Sequence, residues 1–331
     1  MALFSIEELG LLVLFVLAFA NGANDAGKSV ASLMISPGHV HRPLIWGGIF
    51  SGLGSAAALL ISGRLFAVFT PQSLLKTAPP PSFALAALVG ATIWVLAATL
   101  LRVSVSTTHA ILGSIIVQGV VLFGVSSLAW DFLALRVLLP LAGGPIAVLV
   151  VTYIFSRIFR RRRSQQAPAS APKSPSRRTG IAHWGSSAAS AFARGINDAP
   201  KMAAMGAFIL LARPYSSWLP YLIVTVAVVV GAQILGHRVA MAMVGRHAGL
   251  DQGQRTQAGA ATAVLVSFGA IFGAPMSTTH VSEGAHAGIG GGQRSVVRAA
   301  LRSMILAWLV TLPAAGFLAV LASIYGPRLW G

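Results

Sequence analysis

The sequence predicts an all-α polytopic membrane protein built from an inverted internal repeat with broken or re-entrant helices. Of its 331 residues, 56% are hydrophobic and only 9% are charged, and the mean hydropathy is +0.78. This composition leaves too little polar surface to cover a soluble globule of this length. Two polar motifs interrupt the apolar segments, and each of them returns in the second half of the chain.

The first motif, Gly-Ala-Asn-Asp-Ala-Gly-Lys at residues 22–28, lies within an apolar stretch. Gly-Ile-Asn-Asp-Ala-Pro-Lys at 195–201 repeats it, so Asp198 follows Asp25 by 173 residues. An ionised side chain at the centre of a membrane costs about 2.5–3.5 kcal/mol on insertion scales, and such groups are normally functional. The glycines predict a helix break at each copy, where freed backbone groups line a site near the midplane.

The second motif is Ser-Thr-Thr-His, at residues 106–109 and again at 277–280, an offset of 171 residues. We refer to these two stretches as the tetrads. Hydroxyl groups and a histidine are unusual on a helix that faces lipid. Because two independent motifs recur at nearly the same offset, the sequence indicates an internal duplication.

Each half contains five segments of membrane scale, since about 20 apolar residues span a bilayer. In the first half they are predicted at 9–35 (broken at the motif), 43–62, 82–101, 103–124 and 137–156, with 63–81 interfacial or loop. In the second half they are predicted at 183–212, 218–235, 258–273, 275–292 and 303–325. The expected total is about ten membrane segments, within about eight to twelve if some of them re-enter.

The chain is predicted to divide into a first repeat half at 1–156, a basic cytoplasmic linker at 157–180 and a second repeat half at 181–331. The linker contains four consecutive arginines at 160–163 and then a Pro/Ser/Gln/Ala stretch, which predicts disorder. Its basic residues are expected to set the orientation of the protein and to contact anionic lipid.

The distribution of basic residues predicts the topology. If all ten segments cross, 16 of the 24 Lys and Arg residues lie on one side of the membrane and five on the other. If the segments that contain the tetrads re-enter instead of crossing, the division becomes 14 against seven. Basic loops favour the cytoplasm, so we expect a multi-pass protein of the inner (cytoplasmic) membrane with both termini outside. The net charge of +17 is spread over short loops, which excludes the continuous basic face of a nucleic-acid-binding protein.

The paired Gly-x-Asn-Asp motifs and paired tetrads resemble those of the PiT family of inorganic phosphate transporters, and the resemblance extends over nearly the whole chain except the linker. It implies ion-coupled uptake of an inorganic oxyanion, often phosphate and in some relatives sulfate. The usual family phrase is Gly-Ala-Asn-Asp-Val-Ala-Asn-Ala, and Lys28 and Lys201 replace its second Asn. The resemblance implies no catalytic residue, metal or cofactor beyond a coupling ion, H+ or Na+. A homodimer is an assembly compatible with it.

Amide, hydroxyl and cationic donors suit a tetrahedral oxyanion. The predicted substrate-binding residues are Asn24, Asn197, Ser106, Thr107, Thr108, Ser277, Thr278, Thr279, Lys28, Lys201 and Arg194. Asp25 and Asp198 would repel the anion, so they are predicted to hold the coupling ion or to neutralise the lysines. A proton relay through His109, His280 and Glu283 is the further expectation.

Each assignment has a structural alternative. The Asn-Asp pairs can serve helix–helix hydrogen bonding, the tetrad hydroxyls can bond to carbonyls of their own helix, and Arg194 and the two lysines can extend to the membrane surface. The histidines can be fixed partners in a polar cluster, and Glu283 with His286 can lie in a solvated loop, the interpretation that the sequence favours. The pair His39 and His41 is predicted to be loop.

The predicted function is therefore a phosphate symporter, not an enzyme. An ammonium group near each carboxylate supplies the charge that a cation would bring, which favours proton coupling over sodium coupling. A sodium-coupled phosphate symporter and a sulfate or other oxyanion permease are the alternatives within the family, and a passive anion channel is an alternative of another class. An intramembrane aspartyl protease is disfavoured, because its Gly-x-Gly-Asp signature is absent from the sequence.

Overall fold

The structure is a computed structural model that describes residues 4–34, 40–164, 177–210, 218–247, 249–291 and 294–326. Nearly all of these residues are helical. A multi-pass helical architecture follows, as the composition predicts. The prediction for His39 falls outside the described residues, and His41 is the first residue of a helix.

Within the described residues, the first repeat contains eight α-helices. Their bounds are α1 Ile6–Val30, α2 His41–Ile61, α3 Gly63–Val68, α4 Pro71–Leu74, α5 Pro81–Leu100, α6 Thr107–Phe123, α7 Trp130–Phe132 and α8 Leu139–Ser164. A π-helical turn, Leu133–Leu138, joins α7 to α8. The predicted interfacial stretch 63–81 therefore contains the two short helices α3 and α4.

The described part of the second repeat contains six α-helices. Their bounds are α9 Arg177–Ile209, α10 Trp218–His247, α11 Gln252–Phe272, α12 Thr278–Ile289, α13 Arg294–Leu306 and α14 Leu312–Tyr325. A π-helical turn at Ala307–Thr311 joins α13 to α14, which matches the turn between α7 and α8. Because α8 extends to Ser164 and α9 begins at Arg177, both ends of the predicted linker are helical, and residues 165–176 lie outside the description.

Within the described residues, six helical segments are long and apolar enough to cross a membrane: Ile6–Leu33, His41–Ile61, Pro81–Leu100, Trp130–Ile158, Trp218–Gly245 and Val296–Tyr325. The remaining predicted segments correspond to α6, α9, α11 and α12. Helices α6 and α12 have 17 and 12 residues, which is short for a full crossing. Both begin at a tetrad.

The two repeats are interleaved. Helix α1 packs against α10, and α2 packs against α9, so each of these contacts joins one repeat to the other. The helices that begin at the tetrads also pack against the other repeat: α6 packs against α14, and α12 packs against α8. The centre of the molecule is therefore built jointly by both repeats.

The prediction that glycine breaks the helix at the Asn-Asp motif is wrong. Helix α1 runs through residues 22–28 without interruption, and α9 runs through 195–201 with Pro200 inside it. The motif glycines serve close helix crossings instead. A Cβ atom on Gly22 would lie 2.2 Å from the Val228 carbonyl oxygen, and one on Gly195 would lie 2.2 Å from that of Ser51.

The breaks occur directly before the tetrads. Helix α5 ends at Leu100 and α6 begins at Thr107, and α11 ends at Phe272 and α12 begins at Thr278. Both α6 and α12 start among buried residues. The backbone N–H groups freed at a helix start thus lie inside the protein, where the tetrads supply polar partners.

The crossing of α1 and α10 gives a first testable prediction. A Cβ atom on Gly231 would lie 1.9 Å from the Phe19 carbonyl oxygen, and two backbones cannot separate without loss of the packing around them. We expect Gly231→Ala to destabilise the protein by about 1–3 kcal/mol or more, measured as a lower melting temperature in detergent.

The matched control is Gly185→Ala on α9. No atom lies within 4 Å of the position that a Cβ atom would take there, and alanine is the better helix former. This variant should melt at or above the wild-type temperature. Equal melting temperatures for the two variants would contradict the crossing argument.

Candidate functional site

The N-termini of α6 and α12 meet at the centre of the protein. Ser106 and Ser277 are their N-cap residues, and each serine hydroxyl accepts a hydrogen bond from the backbone N–H of its tetrad histidine. A hydrogen bond of 3.0 Å joins the two hydroxyl groups. Since Ser277 is the repeat counterpart of Ser106, this contact marks the pseudo-two-fold axis between the repeats.

Lys28 extends from α1 to this centre. Its Nζ atom donates to a carboxylate oxygen of Asp25, to the Val105 carbonyl oxygen at 2.6 Å and to the Thr279 hydroxyl at 2.8 Å. Only 3% of the residue is exposed. The ammonium group therefore lies in a cage of three oxygen atoms that both repeats supply.

Lys201 has the same surroundings in the other repeat. Its Nζ atom donates to Asp198 Oδ1 at 3.1 Å, to the Met276 carbonyl oxygen at 3.0 Å and to the Thr108 hydroxyl at 2.7 Å. Met276 and Thr108 are the repeat counterparts of Val105 and Thr279. The two cages are thus related by the pseudo-two-fold axis, and neither lysine extends to the membrane surface as the alternative assignment required.

The two carboxylates differ in their partners. Asp25 Oδ2 accepts from Arg194 Nη1 at 3.2 Å and from the Thr278 hydroxyl at 2.8 Å, in addition to the Lys28 contact at Oδ1. Asp198 Oδ1 accepts from Lys201 and, at 2.8 Å, from Asn197 Nδ2. Arg194 causes the difference, because its counterpart on α1 is the neutral Asn21. The two carboxyl groups lie near enough for their charges to influence each other.

Arg194 is 1% exposed and also contacts the Thr278 carbonyl oxygen at 3.4 Å. It therefore does not extend to the cytoplasmic surface, and that alternative is wrong. Ion pairs at the centre join three buried cations (Lys28, Lys201 and Arg194) to two buried carboxylates (Asp25 and Asp198). We call these five residues the central cluster.

Asn24 and Asn197 hold the segments before the tetrads. Asn24 Nδ2 donates to Thr99 Oγ1 at 2.9 Å and to the Val103 carbonyl oxygen at 3.0 Å, and its Oδ1 accepts from Val105 N at 3.1 Å. Both amide N–H groups of Asn24 are thereby engaged. A substrate-binding role for Asn24 stays a prediction that requires exchange of these bonds.

Asn197 repeats part of this arrangement. Its Nδ2 donates to the Met276 carbonyl oxygen at 3.0 Å, and its Oδ1 accepts from Met276 N at 3.4 Å. Its second amide contact is to Asp198, because the counterpart of Thr99 is the apolar Ala270. The asparagines thus fix the extended backbone that supplies a carbonyl oxygen to each lysine.

The tetrad threonines bond to partners outside their own helices, and for Thr108, Thr278 and Thr279 the partner lies in the other repeat. Thr108 donates to the Met276 carbonyl oxygen at 3.3 Å, and Thr279 donates to that of Val105 at 3.2 Å. Thr107 donates to Asn21 Oδ1 at 2.7 Å. The own-helix alternative is therefore wrong for these residues, while their predicted contact with substrate stays a prediction.

The tetrad histidines form a pair on the pseudo-two-fold axis. The ring centroids of His109 and His280 are 4.9 Å apart, His109 Nδ1 is 2.8 Å from Ser106 Oγ, and Trp308 packs edge-on against His109. These contacts make the histidines fixed partners in a polar cluster. Proton transfer through them stays a prediction.

Glu283 and His286 lie on α12 and are 8% exposed each. The solvated loop favoured from the sequence is therefore wrong for both. Their position follows from the helix that the Ser277 N-cap begins, which continues for 12 residues to Ile289 despite its glycines. Glu283 lies one turn after His280, so two of the predicted relay residues share α12, whereas His109 lies on α6.

Sequence reasoning missed three contributors to the site: the carbonyl groups of Val105 and Met276, and the side chain of Asn21. Carbonyl oxygens leave no signal in residue identity. Asn21 does carry a signal, because it is an amide within an apolar run directly before the first motif.

Comparison with known proteins finds similarity to phosphate transporters. Residues 21–319 match the model of the phosphate transporter family. A "Probable low-affinity inorganic phosphate transporter" of Rhizobium meliloti (strain 1021) is 26% identical over 318 residues, covering 92% of this chain and 91% of that protein. One of the same description from Mycobacterium tuberculosis (strain ATCC 25618 / H37Rv) is 28% identical over 319 residues, covering 90% and 72%.

A solved structure, described as the sodium-dependent phosphate transporter, superposes with a TM-score of 0.83 at 18% sequence identity, covering 98% of this chain and 99% of that chain. At this identity the similarity concerns the fold. It agrees with the repeated helical architecture described above. The family match covers both Asn-Asp motifs and both tetrads, and on it this chain belongs to the phosphate transporter family, a family of membrane transporters and not of enzymes.

Proposed function

We propose that this protein takes up inorganic phosphate across the cytoplasmic membrane as a proton-coupled symporter. The observation that supports this most is the charge of the central cluster, in which three cations face two carboxylates. With all five groups ionised and the nearby buried Glu283 of α12 protonated, the centre has one net positive charge. An uncompensated buried charge is costly, so an anion at this position stabilises the site.

The helix geometry adds to the attraction. The N-termini of α6 and α12 converge at the Ser106–Ser277 contact, and each brings partial positive charge and backbone N–H groups. The tetrad threonines and the lysines satisfy one another across this point. Binding of phosphate exchanges these bonds for bonds to its oxygen atoms, which keeps each buried donor paired.

The lysine cages favour protons over sodium as the coupling ion. A carboxylate, a backbone carbonyl and a hydroxyl around each Nζ atom form the kind of oxygen set that coordinates Na+ in transporters. Here an ammonium group occupies each set. A second cation about 4 Å from it would meet a repulsion of about 4 kcal/mol at an effective dielectric constant of 20.

Asp198 is the carboxyl group that we propose carries the coupled proton. Asp25 contacts two cations, whereas Asp198 contacts one and faces Asp25. A divalent phosphate that binds together with one proton brings the same net charge as a monovalent phosphate. Either combination neutralises the central cluster.

A sodium-coupled phosphate symporter is the second candidate, and the fold similarity to a sodium-dependent phosphate transporter favours it. Under that mechanism the lysines would have to leave their cages during transport. For either mechanism we propose that all ten segments cross and that both termini lie outside, since 16 basic residues then fall on the linker side and five on the other.

Uptake into proteoliposomes tests the function. We expect an inward proton gradient to drive accumulation of labelled phosphate, with sodium and choline equivalent, and external unlabelled phosphate to exchange with it by counterflow. Arsenate should compete as phosphate does. Sulfate and molybdate should compete less, because at neutral pH they have no proton to donate to Asp25 or Asp198 and leave both carboxylates facing an anion.

Protein-free liposomes and a sulfate-uptake arm are the controls. Equal competition by sulfate would identify a general oxyanion permease. Collapse of a phosphate gradient without counterflow would identify a passive channel. Either result contradicts the proposal.

A further inference from the structure

A cavity of about 660 Å3 adjoins the central site. Its inner wall includes Ser106, Thr279 and the Val105 carbonyl segment, which are the groups that surround Lys28. Three arginines, Arg102, Arg298 and Arg302, line it as well. We call this space the arginine vestibule. Its lining residues include no aspartate or glutamate.

Arg102 has a backbone conformation that arginine rarely adopts. Its φ angle is +62°, and no other non-glycine residue in the described part of the chain has a positive φ. It follows α5 in a Schellman-type helix end, where Val103 N bonds to the Ala98 carbonyl oxygen at 2.8 Å. A left-handed residue at this position is normally glycine, because a side chain there costs free energy.

The second repeat has the same helix end with the expected residue. Gly273 follows α11 with a φ angle of +77°, and Ala274 N bonds to the Gly269 carbonyl oxygen at 2.8 Å. Gly273 is the counterpart of Arg102 at the tetrad offset of 171 residues. One fold position therefore holds glycine in one repeat and a strained arginine in the other. Strain that is retained in this way points to a role for the side chain.

Arg298 and Arg302 are four residues apart on α13, so they share one face of the helix. Within the described parts of the chain, no carboxylate forms an ion pair with any of the three vestibule arginines. The stretch that corresponds to this part of α13 in the first repeat, residues 125–131, has no lysine or arginine. Arg298 and Arg302 therefore have no basic counterpart in the first repeat.

We propose that the arginine vestibule is a second, weaker binding site for inorganic phosphate, between the central cluster and the membrane face of the basic linker. The inference rests on the proposed function. Arginine suits phosphate because its planar guanidinium group donates paired hydrogen bonds to two oxygen atoms. Arg102 binds the anion next to the Thr279 hydroxyl, so that an anion leaving the central cluster meets a second set of donors before it reaches water.

Equilibrium binding of labelled phosphate to the purified protein in neutral detergent tests the proposal. The wild type should bind two phosphate ions with distinct affinities, and salt should weaken the lower-affinity class more strongly, because that site is open to ions. Arg102→Gly and the double variant Arg298→Gln, Arg302→Gln should each lower the weaker affinity at least about tenfold while the tighter one is retained.

Different substitutions at position 102 separate the effect of the arginine charge on phosphate binding from the effect of the backbone strain on stability. Arg102→Gly removes the strain and should melt at or above the wild-type temperature, whereas Arg102→Ala keeps the strained φ and should melt below the glycine variant. Both variants should lose the lower-affinity phosphate binding, and Arg102→Lys should retain part of it. Arg136→Gln, which removes an exposed arginine from the other side, is the matched control and should bind as the wild type does.

The possible outcomes are distinguishable. If the wild type binds no phosphate, the proposed function fails. If it binds one phosphate ion, or if Arg102→Gly binds as the wild type does, the vestibule proposal fails and the function stands. A phosphate group could also come from lipid, so the same measurement is made in phosphatidylcholine nanodiscs with and without phosphatidic acid. Co-purified phosphatidic acid that depends on Arg102, together with unchanged phosphate binding, would assign the vestibule to lipid and overturn the proposal.

Discussion

Replacement of both cage lysines by asparagine is expected to convert a sodium-indifferent transporter into one that requires sodium. In the wild type the Nζ atoms of Lys28 and Lys201 occupy two sets of carboxylate, carbonyl and hydroxyl oxygens. Removing the ammonium groups leaves those oxygens without a cation. Asparagine is also the residue that the PiT phrase has at both positions.

The measurement is phosphate uptake under an imposed pH gradient, with sodium replaced by choline. Wild-type uptake should be the same in both salts. The double variant Lys28→Asn, Lys201→Asn should transport at least about tenfold faster with sodium, since relief of only 1.4 kcal/mol of the repulsion already gives that factor. Sodium should also raise its melting temperature, by mass action on the folded state, and choline should not.

Two controls separate the loss of the lysine charges from the gain of oxygen ligands for sodium. Lys28→Met with Lys201→Met removes the charges but adds no oxygen, so its response to sodium should be weaker than that of the asparagine pair. Lys76→Asn removes an exposed lysine outside the site and should leave uptake indifferent to sodium. Wild-type uptake that stops in choline, or an asparagine pair that works equally well in both salts, would contradict the idea that the lysines replace the coupling cations.

The helical class was predictable from composition, and the motif residues that meet in the central cluster could be singled out by their spacing, while their roles in binding and coupling stay predictions. The position of the helix breaks was not predictable. Gly22 and Gly195 allow close backbone approach between neighbouring helices, at 2.2 Å for a hypothetical Cβ atom, and sequence alone does not separate this use of glycine from a break. The serine at the start of each tetrad was the available signal, since serine is a favoured N-cap.

Partners across the repeats were also beyond sequence reasoning. The contact of Lys28 with Thr279 spans 251 residues, and that of Lys201 with Thr108 spans 93. They exist because α6 and α12 meet at their N-termini, which depends on the interleaving of the two repeats. Motif spacing shows which residues are duplicated, but it does not show whether a residue pairs within its own repeat or with the other one.

The structure also separates the roles of the two aspartates, which the motifs leave equivalent. Asp25→Asn leaves both Lys28 and Arg194 without their carboxylate in a buried site. Breaking a buried ion pair from one side costs about 3–5 kcal/mol, so this variant is expected to lose stability as well as transport. Asp198→Asn affects one cation, Lys201, whose contacts with Met276 and Thr108 remain.

We therefore expect Asp198→Asn to fold, to bind phosphate and to exchange it by counterflow, but to lose accumulation driven by a proton gradient, because the amide cannot take up the coupled proton. The measurements are counterflow and gradient-driven uptake on the same proteoliposomes. Asp131→Asn, at an exposed carboxylate on α7, is the matched control and should retain both activities. Gradient-driven accumulation by Asp198→Asn at the wild-type level would remove Asp198 from the coupling mechanism. Loss of counterflow together with accumulation would instead make Asp198 a requirement for substrate binding, which its single cation partner and its position opposite Asp25 do not support.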